Sequence, residues 1–158
     1  MSSQQATTAV ERQATLDHFY AELAPVLVDF SDALGLEPPQ EVLTQAGHYL
    51  PYVEKALAEM AIADADDRSW LLLRMMYFVG EYFAQQYGGC WYVEETAGSR
   101  LFGRCVVGKF RQNAKGDLAI DPFEIASAYV DVPCPRQLSP LVAAAEAGII
   151  DTARAGMH

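Results

Sequence analysis

Cationic residues are scarce in this chain: 11 Lys and Arg stand against 21 Asp and Glu, a formal net charge of −10 over 158 residues. Such a surface repels phosphate backbones and anionic headgroups, which argues against binding to nucleic acid or to a membrane. Long apolar runs are missing too. The most hydrophobic window, from about Trp70 to Tyr87, is broken by Arg74 and Glu81, whereas a membrane span needs roughly 20 unbroken apolar residues. The start, Met1-Ser-Ser-Gln-Gln-Ala-Thr-Thr, has neither the basic head nor the apolar centre of a secretory signal. The expectation is a soluble, cytoplasmic protein.

Cysteine and histidine are few. Cys90, Cys105 and Cys134 are odd in number and lack CxxC spacing, which argues against a secreted disulfide framework and for reduced thiols. A Cys90–Cys105 approach across a hairpin is the alternative. The histidines are His18, His48 and His158. A Cys–His dyad drawn from Cys90 or Cys105 and His18 or His48 is geometrically open, but no local motif supports it. Metal-ligand spacings, the dinucleotide fingerprint and the P-loop are all absent. Asp64, Asp66 and Asp67 lack the glycine and distal glutamate of a calcium loop and read instead as a helix cap. No catalytic residue, no metal ligand and no cofactor is expected. The reading leans away from an enzyme.

What is present is an architecture. Leu16, Phe19, Tyr20, Leu23, Leu27, Phe30 and Leu34 recur at three- and four-residue steps, predicting a helix over about Val10 to Leu34 that Pro25 kinks or splits. A second helical region carries Val42, Leu43, Leu50, Val53, Leu57 and Met60, with breaks expected at Gly47 and Pro51. The third helix, about Asp67 to Tyr87, has so little polar surface that other elements must enclose it. Its narrow polar line, Arg74, Phe78, Glu81 and Gln85, is either one exposed edge or a polar network in a cleft.

Gly88-Gly89 ends that helix where the aromatic, period-two stretch Cys90–Glu94 begins. Further strands are expected over Leu101–Phe110 and Leu118–Ile120, joined by a turn at Asn113-Ala114-Lys115-Gly116-Asp117, and such short links favour an antiparallel meander. Asp121-Pro122-Phe123-Glu124 reads as a capping box opening a short helix to about Tyr129. Ser139-Pro140 caps a last one over Leu141–Ala147.

The fold class expected is α+β: N-terminal helices, a small three-stranded antiparallel meander packed on the central helix, and short C-terminal helices. Residues 10–150 make one domain, with 1–9 disordered and 151–158 a flexible tail. Its core should hold Leu23, Leu27, Phe30, Leu72, Met76, Val79, Phe83, Trp91, Val106 and Phe123.

The stretch Gly-Glu-Tyr-Phe, then Tyr-Gly-Gly-Cys-Trp, then a short meander into Asp-Pro-Phe-Glu resembles small bacterial families in which a Gly-Gly-x-Trp hairpin precedes an Asn/Asp-Pro-Phe helix start. The likeness covers about Leu71 to Tyr129. Some proteins of this sort are thought to neutralise toxins or to accompany secreted effectors, and the resemblance implies no catalytic residue.

Charge is unevenly placed. Residues 1–88 carry 13 acids and 4 bases, residues 89–116 carry 2 and 5, and residues 117–158 carry 6 and 2. An acidic helical body therefore bears a small basic, aromatic sheet. Two functions follow. One is a non-catalytic binding protein, an immunity- or antitoxin-like inhibitor or an effector adaptor, that recognises a basic protein partner through acids such as Asp29, Asp32, Glu54 and Glu59. The other is a small-molecule-binding domain or small enzyme with a pocket between central helix and sheet, lined by Tyr77, Glu81, Tyr92 and Arg104.

Overall fold

A computed structural model describes residues 3–111 and 118–155. Among them are five α-helices, α1 (Ser3–Ala33), α2 (Val42–Leu57), α3 (Ala65–Tyr87), α4 (Pro122–Asp131) and α5 (Ser139–Ala155), with a 3-10 turn at Pro39–Glu41. Strands β1 (Cys90–Val93), β2 (Cys105–Gly108) and β3 (Ala119–Ile120) form an antiparallel sheet in the order β1-β2-β3. The fold is α+β. No helix among the described residues is long and apolar enough to cross a membrane.

The central helix is α3. Asp64 caps it by accepting from the Asp67 N–H at 2.9 Å, and the Asp67 carboxylate reaches back to the Ala63 N–H at 3.1 Å. The acids that mimic a calcium loop are thus occupied as a cap. Gly88 closes the far end in the left-handed region (φ 66°), its N–H on the Ala84 carbonyl, a conformation that costs a residue with a Cβ about 1 kcal/mol or more. Between these caps Leu71, Met75, Phe78, Val79 and Phe83 are all but inaccessible to solvent.

Several element boundaries differ from the periodicity. α1 starts at Ser3, reaching into the 1–9 segment set outside the domain, because Gln and Ala there favour helix. Pro25 lies within α1 without ending it; Ala21, whose carbonyl loses its partner, is exposed and open to water. The break in α2 falls at Gln45 (φ −132°, ψ 41°), not at Gly47 or Pro51. α5 extends to Ala155, beyond Ala147.

In the second strand only Cys105–Gly108 pairs. Leu101–Arg104 is a turn instead: the Phe102 N–H bonds the Ser99 C=O at 3.1 Å and the Arg104 N–H the Leu101 C=O at 3.0 Å, while the Gly103 N–H and the Arg104 C=O reach across to Glu94 at 2.8 and 2.9 Å. Residues 113–117, where the next turn was expected, lie outside the described residues.

Register settles which sheet face meets α3. Trp91 pairs with Val107 and Val107 with Ile120, and this face packs on α3, where the Trp91 indole lies directly on Gly80. Cys90 pairs with Gly108 and Cys105 with Val93, so the two cysteines sit at opposite ends of the ladder and on opposite faces. All three thiols are free.

Seven of the ten expected core residues are buried: Leu23, Leu27, Phe30, Val79, Phe83, Trp91 and Val106. Leu72 and Met76 are half-buried against the core. Phe123 is 42% exposed, because α4 buries the line Pro122, Ala126, Tyr129 and Val130 and Phe123 falls off it.

Candidate functional site

Charges can serve the fold or a partner, and the structure separates the two. Arg68 holds Asp131 through two bonds of 3.0 and 2.9 Å, tying α3 to the end of α4. Arg104 donates to Asp121 at 2.6 Å, while the other oxygen of Asp121 caps α4 by accepting from the Phe123 N–H at 3.0 Å. Glu124 pairs with Arg100, so the expected capping box is half made: its aspartate caps and its glutamate is turned to a cation. Arg136 donates to the Met60 carbonyl, and its own N–H meets the Ala58 carbonyl at 2.9 Å, closing the end of α2.

Glu54, an expected binding residue, is a cap. Its carboxylate accepts from the Leu138 and Ser139 N–H groups at 3.0 and 3.2 Å and from the Ser139 hydroxyl at 2.5 Å, placing negative charge on the positive end of α5. Glu81 is likewise internal: it accepts from the Trp91 indole at 2.9 Å and from the Gln85 carboxamide at 3.2 Å. Arg74 lies 4.3 Å over the Trp70 ring, and Lys109 lies 4.6 Å over Tyr92.

Gln85 carries the most informative contact of this network. In an unbroken α2 the Ala46 N–H would bond the Val42 carbonyl. Here the Gln85 carboxamide stands between them, accepting from Ala46 N–H at 2.8 Å and donating to Val42 C=O at 3.1 Å. A side chain inserted into the ladder is a physical cause of a kink. Of the two readings of the polar line on α3, its Glu81–Gln85 half is a network, and Phe78 on the same line is buried.

Tyr77, Glu81, Tyr92 and Arg104 do not line one pocket. Trp91 fills the helix–sheet contact, Tyr92 lies on the opposite sheet face, paired with Val106, and Arg104 is held at the start of α4. Open polar clefts lie elsewhere, one of about 340 Å³ between α2 and α3 beside Gln45 and His48, the other of about 430 Å³ at the C-terminal end of α3 beside Gly88 and Arg111, both lined by Gln85 and Gln86.

Buried hydroxyls surround α3. Burial, with Glu22 nearby, pushes the Tyr77 hydroxyl up to about 12. Burial and the Glu146 carboxylate do the same to Tyr82 and raise Tyr87 further; both hydroxyls donate to Glu146 from α3 across to α5. Burial also raises the Cys105 thiol, making it a poorer nucleophile. His18 and His48 are exposed. Among the described residues no group of three or more His, Cys, Asp or Glu could hold a metal ion.

A further group of acids is held less firmly: Asp29 acts on the Arg74 guanidinium and Glu41 on the Tyr49 hydroxyl. Asp29, Asp32, Glu37, Glu41 and Glu59 are exposed and make no ion pair among the described residues. Four of them fall at the end of α1, in the link after it and in the 3-10 turn packed against it, a turn fixed by the Tyr49 hydroxyl donating to Pro38 C=O at 2.6 Å. Comparison with protein-family models, with curated proteins and with solved structures gave no match.

Proposed function

We propose that this is a non-catalytic binding protein that recognises a basic protein partner through the acidic end of α1. An immunity- or antitoxin-like inhibitor, or an adaptor for an effector, is the kind of protein this reading describes. One observation carries it. The last turn of α1 holds no basic residue, and Asp29 and Asp32 lie at that end, where the helix dipole already concentrates negative charge. A cation there would stabilise the helix by about 0.3–1 kcal/mol, and an anion works the other way. With Glu37 and Glu41 next in the chain, and Arg74 as the cation that Asp29 acts on among the described residues, the fold accepts a local excess of exposed negative charge that the helix dipole disfavours. Exposed, unpaired charge of one sign speeds the encounter with an oppositely charged partner and repels wrong ones.

The test is kinetic. A partner captured from the native cell is measured across a salt series, where exposed charges are screened over roughly 8 to 10 Å at physiological ionic strength. Asp29→Asn with Asp32→Asn should slow association and flatten the salt dependence, while leaving dissociation nearly unchanged. Salt-independent binding, or a larger loss from Arg104→Ala than from the acidic pair, would move the interface to the sheet.

A further inference from the structure

Two clefts meet at Gln85 and Gln86, which line both, one between α2 and α3 beside Gln45 and His48 and one at the C-terminal end of α3 beside Gly88 and Arg111, and together they outline a groove. No carboxylate lines it, in a chain with 21 of them. Gln85 shows how a carboxamide here handles a peptide backbone: it accepts from one N–H and donates to one C=O of the same chain segment. Gln86, beside it, is exposed and has no hydrogen-bond partner among the described residues. Its Oε1 lies 3.1 Å from where a Cβ on Gly47 would stand, so its amide faces bare backbone. At the other end the aliphatic part of Arg111 crosses Gly88, its Cγ and Cδ each 3.0 Å from an ideal Cβ there. The Arg111 guanidinium makes no ion pair among the described residues.

We propose that this groove binds an extended polypeptide end, with Gln86 pairing to its backbone and Arg111 to its C-terminal carboxylate. A guanidinium fork matches a carboxylate with two parallel hydrogen bonds. A multiply charged phosphate is disfavoured more strongly than a singly charged carboxylate, because the Arg111 end of the groove is the C-terminal, negative end of α3. A sugar is disfavoured as well: the tyrosines in the walls, Tyr82 and Tyr87, are buried with their hydroxyls on Glu146, leaving no open aromatic face. The groove uses none of Asp29, Asp32, Glu37 or Glu41, so this inference and the acidic-surface reading stand or fall separately.

The experiment is a 15N NMR titration of the whole chain with tetra-alanine at millimolar concentration, with its C-terminal amide and with glucose as comparisons. Tetra-alanine should shift the Gly47, Gly88 and Gly89 amides and the Gln86 carboxamide, and the amidated peptide should bind about tenfold more weakly for want of the charged pair. Arg111→Gln should bring the free acid down to the level of the amide and leave the amide unchanged. Gln86→Leu should weaken both. Each altered side chain is exposed, and an unchanged melting temperature confirms that the fold is kept. No shift in the groove, equal binding of acid and amide, or shifts with glucose alone would overturn the proposal.

Discussion

Gly80→Ala is the substitution that most directly interrogates how the sheet meets α3. In an exposed helix, replacing Gly by Ala stabilises by about 1 kcal/mol. At position 80 a Cβ would stand 1.9 Å from Cζ2 and 2.1 Å from Cη2 of Trp91. An ordinary carbon contact begins near 3.4 Å, so the indole must retreat by about 1.5 Å into packed surroundings. It is 3% exposed, has Phe19 at 4.7 Å between ring centroids and holds Glu81 through its N–H. Overpacking of this kind costs about 1–3 kcal/mol. Loss of the bond to a carboxylate adds about 1.5–3 kcal/mol. Against the propensity gain, the net expectation is a destabilisation of about 2–4 kcal/mol, a large part of a typical domain's 5–15 kcal/mol.

The assay is urea unfolding followed by circular dichroism, run as a double-mutant cycle with Trp91→Ala. That second substitution alone should cost about 3–5 kcal/mol. In its background the obstacle is gone, and Gly80→Ala should turn neutral or stabilising, giving a coupling near the upper end of the 0.5–3 kcal/mol seen between touching residues. If Gly80→Ala stabilises the protein with Trp91 present, the indole does not lie on Gly80 and the account of the helix–sheet contact is wrong.

Other outcomes follow from named contacts. Gln85→Leu strands the Ala46 N–H and the Val42 carbonyl at the α2 kink and should lower stability by about 2–3 kcal/mol by urea titration. Glu54→Ala removes the cap of α5 and should cost about 1–2 kcal/mol, with Glu54→Gln milder because an acceptor remains. Asp32→Asn should raise stability by up to about 1 kcal/mol by relieving the negative end of α1, although it slows partner binding; a loss of stability would count against the proposed function. Alkali should unfold the protein. Tyr77 and Tyr82 hold their protons to about 12 when folded, against an ordinary 10.0, so the stability they contribute is complete below pH 10 and disappears as pH rises to 12. Tyrosinate absorbance should therefore appear together with loss of ellipticity, and ionisation well ahead of unfolding would contradict the burial of these hydroxyls.

What was legible in the chain was whatever depends on near neighbours. Asp64 with Asp67, Asp121 with Pro122, and Gly88 after Tyr87 are local signals, since a cap bonds groups two to four residues away, and each lies where it was expected. The meander could be read because short links between strands admit little else. The α2 kink could not. Gly47 and Pro51 carry the intrinsic breaking tendency, but the break at Gln45 coincides with a carboxamide from 40 residues later in the chain, and nothing in residues 42–57 announces it. The second strand failed for a related reason. Leu101–Arg104 alternates like a strand, yet the Phe102 and Arg104 N–H groups turn back on Ser99 and Leu101, so the cross-strand bonding reaches Glu94 from Gly103 and Arg104 and goes no further as a ladder.

Charge was legible in sum and illegible in detail, and that difference bears on function. Counting gives residues 1–88 a strong acidic excess, but a count cannot tell a cap from a docking charge. Glu54 and Asp29 look alike in sequence. One reaches 84 residues along the chain to the Leu138 N–H at the start of α5, and the other makes no ion pair among the described residues. The same sorting applies to cations: Arg68 on α3 is matched to Asp131, and in the sheet region Arg100 and Arg104 are matched to carboxylates, which removes two of the five bases counted there. Among the charges left without an ion pair among the described residues, two groups stand out, the acids around the end of α1 and Arg111 beside an acid-free groove. Charges that neither cap nor bridge elements of the fold are the ones free to act on another molecule, and in these two groups the signs lie on separate surfaces.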